Sequence, residues 1–161
     1  MKKAVILVLL ACSLAMNAQQ KTEMVGTIKL GSDYSEALNA MKMEFGEPLR
    51  TSEDEVVYAN KRFRGFTFDE VKFCFKNGKF NEARFFSKVG TKAEAQKKME
   101  NVAQTMKTKY QLSRDVEGDS TWFYKGGCSP LGIGHLFTLY TYPRKGAYGM
   151  EIRFGPINFP Q

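Results

Sequence analysis

Residues 66–86, FTFDEVKFCFKNGKFNEARFF, carry the strongest structural signal in the sequence. Asn77-Gly78 separates two runs rich in aromatic residues, and this dipeptide favours the two-residue turn of a β-hairpin because both positions tolerate a positive φ. Before the turn, Val71, Phe73 and Phe75 alternate with polar residues, and successive side chains of a strand point to opposite faces. The stretch therefore predicts a hairpin with one face towards the core and one polar face away from it.

Two amphipathic helices are predicted outside the hairpin. The first begins at Asp33, which has Glu36 three residues later, and ends before Gly46 and Pro48. The second begins at Thr91, which has Glu94 at the same spacing, and ends near Tyr110. This spacing is typical of a capping box, in which two side chains satisfy backbone N–H groups of the first turn.

The order of the elements indicates an internal repeat. Residues 31–86 and 90–154 each read as one helix followed by three strands, and residues 82–85 (EARF) match residues 151–154 (EIRF). We therefore predict an α+β fold, with two tandem α-β-β-β repeats that form one antiparallel sheet and both helices on one face. The alternative is that two amphipathic antiparallel strands simply have similar sequences.

The N-terminus has the layout of a signal peptide. Lys2-Lys3 precedes an apolar run at residues 4–11, which is too short to span a bilayer, and Ala18 is the predicted cleavage site. We expect a signal peptide at residues 1–18, a single domain at 19–161, and a periplasmic or secreted protein without a transmembrane helix. The alternative is a lipoprotein lipidated at Cys12, which would attach the chain to the outer membrane.

Two cysteines would remain after cleavage, Cys74 and Cys128. An even pair in an oxidising compartment favours a disulfide, and two separate thiols are the alternative.

The chain carries a formal charge of +7, but its lysines are mixed with acidic residues, as in residues 97–100 (KKME). This pattern argues against a nucleic-acid-binding surface.

The sequence contains no convincing catalytic, metal or cofactor motif. His135 is the only histidine, and it shares strand parity with Phe137 and Leu139, which favours a packed or edge histidine over a catalytic pair with Cys128. Asp115, Glu117 and Asp119 have the spacing of the start of a calcium loop but lack its distal glutamate. We therefore predict that the protein is not an enzyme and binds no cofactor.

The sheet face turned away from the helices is the best candidate for a binding site. Tyr, Trp and Arg are enriched where proteins bind proteins, because they bury a large area and keep a polar tip. The alternative is a solvated face that cross-strand pairs stabilise. The residues predicted on this face are Lys72, Arg84, Trp122, Tyr124, Tyr140, Tyr142 and Arg153.

Residues 31–37 (GSDYSEA), followed by residues 45–48 (FGEP), resemble the helix signature of the SmpA/OmlA outer-membrane lipoproteins and of the related β-lactamase-inhibitor-like domains. The resemblance implies a small exported α+β unit that acts by binding proteins, and the inhibitor itself is a tandem duplication. We expect an exported, non-enzymatic module that binds another exported or envelope protein. The alternative is a carrier for a small apolar ligand, held in a cavity between the sheet and the C-terminal tail.

Overall fold

The computed structural model describes residues 24–118 and 121–160. The predicted signal peptide, Cys12 and Asp119 lie outside these ranges, so the predictions about them are untested. In chain order the elements are β1 (Met24–Val25), β2 (Ile28–Lys29), α1 (Tyr34–Phe45), β3 (Arg50–Thr51), β4 (Glu55–Phe63), β5 (Phe66–Lys76), β6 (Lys79–Val89), α2 (Lys92–Lys107), β7 (Leu112–Glu117), β8 (Thr121–Gly126), β9 (Phe137–Arg144) and β10 (Ala147–Phe154).

The hairpin of β5 and β6 forms as predicted. Asn77 has a φ of 53° and Gly78 a φ of 71°, and positive values at both central residues are what a type I′ turn requires. Val71, Phe73 and Phe85 are completely buried. The alternation of apolar and polar residues therefore identified the core face of both strands.

Eight strands form one antiparallel sheet in the order β3-β4-β5-β6-β10-β9-β8-β7. Neighbours within β3–β6 and within β7–β10 are consecutive in the chain, so each half is a simple meander. The halves join where β6 pairs with β10, with Arg84 opposite Arg153 and Phe85 opposite Ile152. The predicted α+β class is confirmed, and the sheet has two more strands than two sets of three would give.

The two helix starts differ from each other. The capping box of α2 is confirmed, because the Glu94 N–H donates to Thr91 Oγ1 at 3.2 Å and the Thr91 N–H donates to Glu94 Oε2 at 2.9 Å. The capping box predicted for α1 is wrong, since the Asp33 side chain makes no capping hydrogen bond. Its carboxylate lies 2.8 Å from Lys79 Nζ instead, which ties the start of α1 to the hairpin.

Aromatic rings fill the core. Phe45 of α1 lies with its ring centroid 5.6 Å from that of Phe73 and 6.4 Å from that of Phe85. Phe85 also stacks on Phe63 at 4.1 Å and meets Phe154 of the other half edge-on at 6.0 Å.

No helix of the described residues is long and apolar enough to cross a membrane.

We expect Phe85→Ala to lower the free energy of unfolding by about 3–5 kcal/mol, because a fully buried ring that contacts both halves would leave a cavity. Met43→Ala is the matched control, since Met43 is 89% exposed, and it should change the value by less than about 0.5 kcal/mol. Urea unfolding followed by circular dichroism measures both. Equal small losses in the two variants would show that Phe85 is not central to the core.

Candidate functional site

The polar face of the sheet, called the outer face below, carries Lys72, Arg84, Tyr140, Glu151 and Arg153 among its residues. At its centre the matching tetrapeptides of β6 and β10 lie on adjacent strands. The Arg84 Nε–H donates to Glu151 Oε1 at 2.9 Å, and the Arg153 Nε–H donates to Glu82 Oε1 at 2.6 Å. Each arginine thus binds the glutamate of the other strand, and we call these contacts the crossed Glu–Arg pairs.

Two tyrosines of β9 complete the surroundings of Glu151. The Tyr140 hydroxyl donates to Glu151 Oε1 at 2.7 Å, and the Tyr142 hydroxyl donates to Glu151 Oε2 at 3.2 Å. The side chain of Glu151 is only 5% exposed, and its carboxylate is stable there because three donors satisfy it. Glu151 therefore fixes two phenol rings, whose centroids are 5.6 Å apart, and one guanidinium group.

These contacts also shift the pKa values of Tyr140, Tyr142 and Arg84. Burial raises the pKa of Tyr140 to about 12 and that of Tyr142 to about 12, and the negative charge of Glu151 and its hydrogen bonds act in the same direction. Burial acts to lower the pKa of Arg84, but the charge of Glu151 and the hydrogen bonds of the cluster outweigh it and raise that pKa. At neutral pH the cluster presents neutral phenols and a charged arginine.

Ion pairs also lie on the outer face of strands β3, β4 and β5. Lys72 Nζ lies 3.2 Å from Glu55 Oε2, and Arg50 Nη2 lies 2.6 Å from Glu55 Oε1. Hydrogen bonds from Arg50 and Lys72 lower the pKa of Glu55. Lys72 and Arg84 are therefore on the outer face, as predicted, but both already have acidic partners.

Trp122 and Tyr124 were predicted on this face, and that prediction is wrong. The Trp122 Nε1–H donates to Glu100 Oε1 of α2 at 2.6 Å, and the Tyr124 hydroxyl donates to the same carboxylate at 2.8 Å. Tyr124 lies opposite the fully buried Leu139, which fixes its face. The run of three aromatic residues at 122–124 gave no parity signal, so the face could not be assigned before the pairing of β8 with β9 was known.

The predicted disulfide is also not present, since Cys74 and Cys128 are both free thiols. Cys74 lies in β5 and Cys128 follows β8, four strand spacings away in the sheet order, which is about 19 Å. A disulfide requires Cα atoms within about 7 Å. Burial raises the pKa of the Cys74 thiol to about 11, so the thiol is protonated and unreactive at neutral pH.

Phe86 and Arg144 belong to the outer face and were missed by the sequence argument. The Arg144 guanidinium lies 4.1 Å from the centroid of the Phe86 ring, and the Phe86 and Tyr142 centroids are 6.0 Å apart. Two adjacent phenylalanines on one strand must point to opposite faces, and this rule placed Phe86 here once Phe85 was assigned to the core. The aromatic surface is therefore wider than predicted.

In the described part of the chain, the contacts of His135 and Cys128 do not support the catalytic pair considered above. His135 Nε2 lies 3.1 Å from Thr138 Oγ1, and the Cys128 thiol contacts the Ser129 carbonyl, so their closest polar partners are not each other. Within residues 24–118 and 121–160, no three His, Cys, Asp or Glu side chains are grouped as metal ligands.

No protein-family model matches the chain, and no similar curated protein or solved structure is found.

Replacing Tyr140 and Tyr142 together by Phe should reduce the part of the tyrosine titration that occurs near pH 12. An unfolded tyrosine ionises near pH 10, so the stability that these phenols contribute is fully present below about pH 10 and is lost as the pH rises towards 12. The ultraviolet absorbance of tyrosinate measures the titration. Met43→Ala, which changes an exposed residue of α1, is the control and should retain the high-pH step, whereas an unchanged step in the double variant would contradict the assignment.

Proposed function

We propose that the protein is an exported, non-enzymatic module that binds another exported or envelope protein through its outer face. The observation that carries this proposal is the arrangement of Tyr140, Tyr142 and Arg153 beside the crossed Glu–Arg pairs. Tyrosine and arginine dominate the binding energy of many protein interfaces. The side chains of Arg84 and Arg153 remain 37% and 36% exposed, so both are accessible to a partner.

Pre-organisation supports the proposal. Glu151 holds Tyr140, Tyr142 and Arg84 in place, and Glu82 holds Arg153, before any partner is present. Ordering a flexible side chain on binding costs about 0.5–1.5 kcal/mol, and this cost is smaller for side chains that are already fixed. A surface of this kind suits a protein partner that supplies acceptors for the arginines and apolar groups for the tyrosine rings.

The tandem-repeat interpretation is part of the proposal. The matching tetrapeptides lie on the strands that join the two halves, and each supplies one glutamate and one arginine to the crossed pairs. Aromatic contacts connect Phe45 of α1 to Phe85, and Phe85 to Phe154, which supports helices that cover the same side of the sheet. Two copies of one unit would place like residues around the junction in this way.

Export remains a proposal that rests on residues 1–18. Their charged start, apolar run and small residue at the cleavage point favour a periplasmic or secreted protein. Lipidation at Cys12 is the alternative, and it would attach the chain to a membrane. The resemblance of residues 31–37 to envelope lipoproteins supports an envelope partner in either case.

A carrier is the second candidate function, and one observation favours it. A cleft of about 350 Å³ lies between the β5–β6 turn and the C-terminal tail, where the carrier interpretation predicted a cavity. Its lining includes Ile157, Phe159 and Pro160 but also two lysines and three asparagines. This mixed lining suits an amphipathic ligand better than a wholly apolar one.

Capture of envelope proteins tests the main proposal. The double variant Tyr140→Ala/Arg153→Ala should bind a partner recovered with the unmodified protein at least about tenfold more weakly, because truncation of an interface anchor costs 2 kcal/mol or more. The control is Met43→Ala/Lys97→Ala, which changes two exposed helix residues away from the outer face. Binding is measured by titration of the identified partner after circular dichroism has shown that both variants are folded.

Equal affinities of the folded double variant and the unmodified protein would rule out the outer face as the binding site. A stoichiometric small molecule in the native mass spectrum, without a captured protein, would favour the carrier instead.

A further inference from the structure

The cleft beside the C-terminal tail has the features of a small ligand site. Its volume of about 350 Å³ is at the lower end of the roughly 300–1,000 Å³ that is typical of ligand pockets. It is lined by Lys76, Asn77, Lys79, Asn81, Ile157, Asn158, Phe159 and Pro160. The cleft lies at the end of the hairpin, separate from the tyrosine and arginine cluster of the outer face.

The tail wall of the cleft is fixed in place. The Ile157 N–H donates to the Asn81 carbonyl at 2.9 Å, and the Gly155 N–H donates to the Leu136 carbonyl at 2.9 Å. Phe159 packs so closely on Gly31 that a Cβ at this glycine would lie 3.0 Å from the ring. The tail therefore forms a defined wall, and a ligand would not have to order it.

The hairpin wall is equally constrained. The Tyr34 N–H donates to the Gly78 carbonyl at 2.9 Å, and the Gly31 N–H donates to the Phe80 carbonyl at 2.8 Å. These bonds connect the tip of the hairpin to the start of α1. Because both walls are held by backbone hydrogen bonds, the cleft exists before a ligand binds, which reduces the cost of binding.

The charges in the cleft are of one sign. Among the described residues, Lys76 and Lys79 line it and no aspartate or glutamate does. Lys76 Nζ donates to Asn158 Oδ1 at 3.1 Å, and Lys79 Nζ pairs with Asp33, which lies outside the lining, at 2.8 Å. Each ammonium group has three donors, so each lysine keeps donors for a ligand.

Asn81 adds a polar side chain to the lining of the cleft. It lines the cleft and is only 7% exposed, and its backbone carbonyl accepts the hydrogen bond of the Ile157 N–H. A side-chain amide carries two N–H donors and one carbonyl acceptor, so Asn81 can take part in binding a polar group. A carboxylate between Asn81 and the lysines would accept hydrogen bonds from the amide and from both ammonium groups.

We infer that this cleft binds a small amphipathic anion, whose carboxylate contacts Lys76, Lys79 and Asn81 and whose apolar part packs on Ile157 and Phe159. The inference rests on the carrier function proposed above, changes its ligand from apolar to amphipathic, and does not depend on protein capture by the outer face. Lysines supply the charge, and the tail supplies the apolar surface. The lysines alone would bind a simple inorganic anion equally well, and the apolar tail alone would bind a neutral hydrocarbon equally well.

The test compares 3-phenylpropanoate with 3-phenylpropanamide, which has the same shape and no charge. Both are titrated into the purified, isotope-labelled protein, and amide chemical shifts of Asn77, Gly78, Asn81 and Asn158 are followed by NMR. The acid should bind about tenfold or more tightly than the amide, since charge-assisted hydrogen bonds form only with the acid. Raising the salt concentration from about 0.05 to about 0.5 M should weaken the binding of the acid and leave the binding of the amide unchanged.

The variant Lys76→Gln/Lys79→Gln should lose the preference for the acid, and Lys97→Gln on α2 is the control that should retain it. Lys79 is 45% exposed in its pair with Asp33, so we expect the double variant to fold, and its melting temperature checks this. Equal affinity for acid and amide, shifts that lie away from the cleft, or an unchanged preference in the folded double variant would each overturn the inference. The failure of this test would leave the tyrosine and arginine variants of the outer face unaffected.

Discussion

The pairing of β6 with β10 is the contact on which the rest of the molecule depends. It joins two four-stranded meanders into one sheet and brings two glutamates and two arginines to its centre. Glu151 is nearly inaccessible to water, and a buried carboxylate is tolerated only when donors surround it. The positions of Arg84, Tyr140 and Tyr142 follow from that requirement, so the same contacts that join the halves also build the outer face.

The two faces of the central strands have separate roles. On one face Phe85 contacts Phe63 of the first half and Phe154 of the second, and this burial supplies hydrophobic stabilisation. On the other face, ion pairs and phenol hydrogen bonds fix polar groups at the surface. Because successive side chains of a strand point to opposite faces, the same two strands supply both the core and the candidate interface.

The sequence predicted the features that depend on local chemistry. Asn77-Gly78 identified the hairpin, alternation identified its core face, and Thr91 with Glu94 identified the start of α2. Features set by distant contacts were missed. The face of Trp122 depends on the pairing of β8 with β9 across a long loop, and the separation of Cys74 from Cys128 depends on the order of strands across the junction.

In the candidate sites, too, the residues set by local strand alternation were predicted, and the residues set by distant contacts were missed. Tyr140 and Tyr142 of β9 and Arg153 of β10 were placed on the outer face from the alternation of side chains along each strand. Asn81 and Phe159 were not recognised, because only the folded chain places the tail beside the hairpin. Asp33 illustrates the limit of a local motif, since Lys79 competes for its carboxylate and prevents the cap.

A double-mutant cycle on Arg84 and Glu151 tests most directly whether the crossed pairs hold the two halves together. The free energy of unfolding in urea is measured for the unmodified protein, Arg84→Gln, Glu151→Gln and the double variant. A coupling energy of about 1–3 kcal/mol is predicted, because the hydrogen bond is charge-assisted and Glu151 is buried. A coupling below about 0.5 kcal/mol, as for an exposed pair, would contradict the account.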